Sequence, residues 1–114
     1  MGPLLIVMLP MSEETLFIAE IPHENGNIKF RYSRYMSEDQ TKWIRHGLFQ
    51  AFDENGNLSS EGEYEHGLET GIWKDYHDNG QLAAQGEYKE GKEVGVWQYW
   101  QSSGKEEEPK DFGK

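Results

Sequence analysis

The chain has 114 residues, 13 glycines, no cysteine and a formal net charge of −10. That length allows one domain with a modest core, and the missing cysteines exclude disulfides, thiolate metal sites and a cysteine nucleophile. Hydrophobic residues, at 35%, fall below the usual share of roughly 45–50%. Aromatics reach 13%, a balance that favours short strands and tight turns over helices packed by leucine.

The charge is uneven. Residues 1–46 carry five Lys/Arg against six Asp/Glu, a net of −1, and residues 47–114 carry six against fifteen, a net of −9. A negative second part argues against nucleic acid and anionic membrane as direct ligands and favours a basic protein partner. Solubility of an exposed sheet is the plainer reading of the same charge.

Residues 1–10 contain an apolar run at positions 4–9, far short of the roughly 20 residues a membrane-spanning helix needs. The basic n-region and cleavage site of a secretory signal are missing. Residues 1–15 read as a flexible or partly ordered N-terminal segment: a first strand, a flexible tail, or sequence upstream of a start at Met11, with the tail preferred. Absence of cysteine fits the cytosol without requiring it, and the chain is read as cytoplasmic.

Residues 16–46 form a degenerate first repeat. Asn25-Gly26 predicts a two-residue type I′ hairpin turn, since both central positions need positive φ. Beyond it Ile28, Phe30 and Tyr32 alternate with Lys29, Arg31 and Ser33, and before it Phe17, Ala19 and Ile21 mirror them. Asn25-Gly26 lies 30 residues before Asn55-Gly56, which in turn lies 24 before Asn79-Gly80. The extra residues are expected as a longer loop within 36–45.

Two regular copies follow, at 47–70 and 71–94, and a partial capping copy at 95–114. Pairing about Asn79-Gly80 sets Asp78 opposite Gln81, His77 opposite Leu82, Asp75 opposite Ala84, Trp73 opposite Gly86 and Gly71 opposite Tyr88. The same pairing about Asn55-Gly56 places Phe49 on Gly62 and Tyr64 on Gly47. Each large ring then lies over a glycine directly across the ladder. One face, expected to be the packing surface, holds Trp73, Leu82, Ala84, Gly86 and Tyr88, with Phe49, Leu58, Ser60, Gly62 and Tyr64. The other holds Lys74, Tyr76, Ala83, Gln85 and Glu87, plus an aromatic row of Phe52, Tyr76 and Trp100. In the last copy Ser103-Gly104 replaces Asn-Gly and a charged, Pro-containing stretch follows, while Phe112 stays in phase with Tyr88. A blunted edge strand and a frayed tail account for it equally.

The pattern G-x-W-x-x-Y-x-x-N-G-x-L-x-x-x-G-x-Y-x-x-G-K-x-x-G over residues 71–95 resembles MORN repeats. It is most similar to the variant form in bacterial proteins labelled YwqK-type antitoxins. Residues 47–71 match with Phe49 for Trp, Phe52 for Tyr and Leu68 for Lys; residues 16–46 match weakly. The resemblance implies an all-β fold, an elongated, twisted single-layer antiparallel sheet of successive hairpins, with Gly95 opening the next copy. It also implies an interaction surface, an antitoxin-like role as a hypothesis, and phospholipid binding as known for some eukaryotic members.

No catalytic, metal or cofactor site is expected, and an enzyme is not the reading. His23, His66 and His77 sit at turns and read as solvated, and His46 has no obvious partner. Asp75 is the one acid on the apolar face, without the close second carboxylate that acid–base work needs. The glycines recur at the repeat period, which makes them structural and not a phosphate cradle. Lys29, Arg31, Arg34, Lys42 and Arg45 are the only basic cluster, an ordinary solvated face or a site for another copy. Aromatics on a one-layer sheet cannot all be buried, so Phe52, Tyr76, Trp97, Tyr99 and Trp100 are the candidate partner-binding residues. The expected function is a non-catalytic protein-interaction module, an acidic antitoxin, immunity or inhibitor protein masking a basic partner. The alternatives are a lipid-associating or scaffold module, and a homo-oligomeric structural protein.

Overall fold

The computed structural model describes residues 15–114; the expectations for the N-terminal apolar run lie outside the described residues. Eight strands form one open antiparallel sheet, each hydrogen-bonded to the next in the chain. They are β1 (Phe17–Pro22), β2 (Ile28–Met36), β3 (Trp43–Phe52), β4 (Leu58–Glu65), β5 (Leu68–Tyr76), β6 (Leu82–Lys89), β7 (Lys92–Tyr99) and β8 (Lys110–Asp111). The all-β hairpin-repeat architecture expected from the sequence is the one observed.

The turn chemistry differs from expectation. At the first hairpin Gly26 N donates to the His23 carbonyl at 3.0 Å and His23 N to the Asn27 carbonyl at 2.8 Å. Of the Asn25-Gly26 pair only Gly26 has positive φ, +92°. This is a three-residue loop, a type I turn closed by a left-handed glycine, not the two-residue type I′ turn. Asn25 Oδ1 holds it by accepting Asn27 N at 2.9 Å. The loops at Gly56, Gly80 and Gly104 repeat the same backbone bond. The two-residue type I′ geometry occurs instead at the links between repeats. There His66 and Gly67 have φ of +48° and +90°, and Glu90 and Gly91 have +50° and +82°.

The wider loop moves the register at its mouth by one residue. Tyr76 faces Leu82, in place of the predicted His77, and Ala83 bulges so that Asp75 still meets Ala84. Ser59 does the same between Phe52↔Leu58 and Ala51↔Ser60. Directly opposed residues share a face, so Leu58 and Leu82 belong with Phe52 and Tyr76. The assignment of both leucines to the tryptophan face is therefore corrected.

The first link carries the six extra residues, within 36–45 as expected. Met36 pairs with Trp43, and the loop beyond closes by Ser37 N donating to the Lys42 carbonyl at 3.0 Å. Asp39 organises it, accepting Ser37 Oγ and Thr41 Oγ1 at 2.7 Å each. Those two hydroxyls hold its carboxyl down at about 2.

The glycines do two different jobs. The predicted pairs Gly47↔Tyr64, Phe49↔Gly62, Gly71↔Tyr88 and Trp73↔Gly86 are all present. Yet the ring lying on Gly62 is that of Trp73, and the ring on Gly86 is that of Trp97; a Cβ at either glycine would collide with the indole. Each tryptophan is thus seated on the hairpin before its own, not on the glycine it faces. The cause is a bulge between repeats. Glu63 faces Thr70 and Glu61 faces Lys74, so Gly62 alone spans three residues, Gly71, Ile72 and Trp73. Gly71 supplies the +71° φ this needs; an added Cβ there would meet nothing within 4 Å, so it is no seat for Tyr88. In the first copy Tyr32 stands at the Gly62 position and the smaller Phe49 at the Trp73 position, stacked at 5.7 Å and 26°.

Phe49, Trp73 and Trp97 form the buried core, flanked by Phe30, Tyr32, Tyr64, Tyr88, Tyr99 and Phe112. The rings interlock edge to face along the sheet: Tyr64–Trp73 at 5.4 Å, Trp73–Tyr88 at 5.7 Å, Tyr88–Trp97 at 5.2 Å and Trp97–Phe112 at 6.1 Å. Large rings on a continuous ladder substitute for the second layer that a sheet normally packs against. Phe112 closes the ladder, and Val96 pairs with Asp111 in β8. The charged end is an edge strand, and the frayed-tail alternative falls.

Candidate functional site

The five aromatic residues selected from the sequence divide between the two faces. Trp97 is only 4% exposed, and its Nε1 donates to the Glu87 carbonyl at 3.2 Å. Its expected display to a partner is corrected: the inter-repeat bulge folds it inward onto Gly86. Tyr99 is half-buried on the same face, packed against that core. Burial first, then Glu93 and Asp75, raise its hydroxyl pKa above the ordinary value. Phe52, Tyr76 and Trp100 are half-buried on the opposite face, where Phe52 and Tyr76 meet Leu58 and Leu82.

That opposite face carries a feature the motif pattern hid. The residue between the glycine and the large aromatic of each copy points away from the core. Leu48, Ile72 and Val96 are 49%, 55% and 57% exposed, and Ile18, at the matching place in β1, is 66% exposed. Each of the first three faces a carboxylate residue across the ladder: Leu48↔Glu63, Ile72↔Glu87 and Val96↔Asp111. Leu48 and Ile72 line one shallow recess with Glu61, Glu63, Lys74 and Gln85. Among the described residues the one ion pair is Arg31 Nε with Glu20 Oε2 at 2.9 Å, so Glu63 and Glu87 are in no ion pair, and Lys74 is the one cation lining that recess. The 24-residue spacing of 48, 72 and 96 was in the sequence, but a pattern built on matching letters leaves a Leu/Ile/Val position blank.

The basic cluster does not form one patch. Arg31 lies beside Glu20, whereas Arg34 faces Arg45 across β2 and β3. The Arg34 guanidinium lies 4.0 Å from the Trp43 ring centre, and that of Arg45 lies 4.9, 5.6 and 5.5 Å from Tyr32, Phe49 and Tyr64. Both cap the aromatic face by cation–π contact.

The histidines are not simply solvated. His23 Nε2 bonds the Phe52 carbonyl at 2.9 Å and His77 Nε2 the Trp100 carbonyl at 2.7 Å, each joining its loop to the next hairpin. Asn25 and Asn79 add bonds to the carbonyls of Glu54 and Ser102. His46 has a partner after all: its Nδ1 accepts His66 N at 2.9 Å. Tyr35 Oη bonds His66 Nδ1 at 2.8 Å. Asp75 is exposed and accepts Ser60 Oγ at 2.8 Å. Among the described residues no group of three His, Asp or Glu is placed to hold a metal ion, and no helix is long and apolar enough to cross a membrane.

The geometry, then, is a sheet with one aromatic face, whose central rings Phe49, Trp73 and Trp97 are covered by their neighbours, and one open face of aliphatic–carboxylate pairs repeating with the hairpins. No curated protein and no solved structure matches the chain. The MORN repeat variant model matches residues 45–66 and 69–90, two adjacent copies spanning β3–β4 and β5–β6.

Proposed function

We propose that this protein is a non-catalytic binding module that masks a basic protein partner, in the manner of an antitoxin, immunity or inhibitor protein. The observation that carries the reading is the open face, where Leu48, Ile72 and Val96 are exposed at the repeat period, each opposite a carboxylate that is in no ion pair. Aliphatic contact area ringed by one sign of charge is the make-up of a protein interface that selects partners by charge. MORN repeats serve as binding or scaffold surfaces, which supports the same reading. We assign the cytoplasm as its compartment, where a cysteine-free chain loses nothing.

The missing cysteines allow a clean test. Single cysteines introduced as Ile72→Cys, Val96→Cys and Glu93→Cys are labelled with a maleimide before and after capture of the partner from host lysate. The expected partner is basic, is released by raised salt, and shields positions 72 and 96 but not 93, which lies on the aromatic face opposite Tyr88. An acidic partner, or shielding of 93 alone, overturns the reading.

A further inference from the structure

The spacing of the open face constrains the shape of what binds it. Neighbouring strands lie about 4.8 Å apart, so positions two strands apart recur at about 9.6 Å. Leu48, Ile72 and Val96 stand on β3, β5 and β7, with Glu63, Glu87 and Asp111 on the strands between them or beyond. With Ile18 on β1 included, the aliphatic row crosses six strand intervals, about 29 Å.

A ligand lying across the strands must present an apolar group every ~9.6 Å and a cation beside each one. An extended strand turns the same side to a surface about every 6.7 Å, out of step with the row. A polyproline helix repeats at about 9.3 Å, but shows a flat face one residue per turn, too few to deliver both an apolar and a basic group to each hairpin. Two turns of α-helix advance about 10.5 Å over seven residues and present a continuous stripe at i, i+3, i+4 and i+7. Glu63, Glu87 and Asp111 stand in the same row, each one strand on from its aliphatic partner, and Lys or Arg flanking the stripe reach them by lying along it with their long stems.

We propose that the occupant of this face is a basic amphipathic helix of the partner. It has about 20 residues, runs across the strands, and seats one apolar residue per heptad on Leu48, Ile72 and Val96. The inference rests on the reading of the protein as a binder of a basic partner and specifies that partner's structure.

The probe is a synthetic 21-residue peptide of three heptads, with leucines in one stripe flanked by lysines on an alanine background. One comparator has the same composition with leucines and lysines shuffled out of the stripe, and another has proline in the central heptad. The full chain, isotope-labelled for NMR, is titrated with each at low salt. Expected are saturable shifts around 48, 72 and 96 with the striped peptide only. Ile72→Ser and Glu87→Gln should each weaken binding about tenfold, while Glu93→Gln leaves it unchanged. Ile72 and Glu87 are exposed and Glu93 is half-buried, and near-ultraviolet circular dichroism of the indoles reports whether the fold is intact. Equal binding of the shuffled or proline peptide overturns the helix while the basic-partner reading stands. Equal loss from Glu93→Gln also overturns it, since binding would then follow net charge and not this face. If none of the peptides binds, both readings fall.

Discussion

At the scale of single residues, Gly62 and Gly86 exist because an indole occupies the volume where a side chain would be. Gly86→Ala forces Trp97 out of its bed, with an expected loss of about 1–3 kcal/mol, the usual range for overpacking a filled site. Gly71→Ala has open space but an unfavourable φ of +71°, and should cost about 1–2 kcal/mol through the backbone alone. Urea melts separate the two mechanisms. Gly62→Ala combined with Trp73→Phe should cost less than the sum of the single changes, because the ring that collides is the one reduced. Gly71→Ala combined with Trp73→Phe should be additive. Tyr32 and Phe49 already show the relation, a larger residue in the seat and a smaller ring upon it. Additivity in the Gly62 pair would mean that the indole does not occupy the seat.

At the scale of strands and hairpins, the aromatic ladder sets how the tyrosines titrate. Burial raises the hydroxyl pKa of Tyr64 and of Tyr88, with Glu69 and Glu93 respectively as the next contributors. A tyrosine whose pKa is higher folded than unfolded contributes stability that is fully present below about pH 10. That contribution is lost as pH rises through the folded value. Thermal stability should therefore fall across alkaline pH beyond 10. Tyr88→Phe should flatten that fall, read by circular dichroism melts at a series of pH values; an unchanged slope would remove Tyr88 from the effect. Much of this element scale was legible in the sequence. The strand alternation, the hairpin register in the strand bodies and the phase of Phe112 follow from one-dimensional periodicity, which is what a ladder is. The loop at Asn-Gly was not, because Asn-Gly satisfies both the type I′ turn and the glycine-closed three-residue loop, and only the flanking bulge at Ala83 or Ser59 separates them. The seat of Trp73 was not legible either. Cross-strand register names the Cα facing a ring, whereas the bulge at Gly71 decides which neighbouring strand the ring lies on. The same bulge turned Trp97 inward and left Val96 outside, exchanging a candidate contact residue for one the sequence pattern had left unread.

At the scale of the whole molecule, each strand is hydrogen-bonded only to its neighbours in the chain, so stability is close to a sum of hairpins and the interfaces between them. Charge is the one interaction that reaches across the whole sheet. The chain carries 21 Asp/Glu against 11 Lys/Arg, and the described residues contain a single ion pair, itself at the surface between Arg31 and Glu20. Attraction between pairs therefore offsets little of the repulsion among the acids, and net charge of this size works against the compact state. Raising ionic strength from about 0.01 M to 0.15 M shortens the screening length from about 30 Å to 8 Å. Repulsion between hairpins one and two repeats apart is then cut, and the melting temperature should rise. The same screening weakens attraction to a basic partner, so affinity should fall over the same range. Opposite salt responses of fold and complex are the expected signature of a sheet whose carboxylates are held for a partner. Calorimetric melts of the free protein and titrations of the complex, run in the same buffers, read both. A melting temperature that drops with salt would show that attraction between charges already dominates within the sheet, leaving its carboxylates engaged and the open face without its charge.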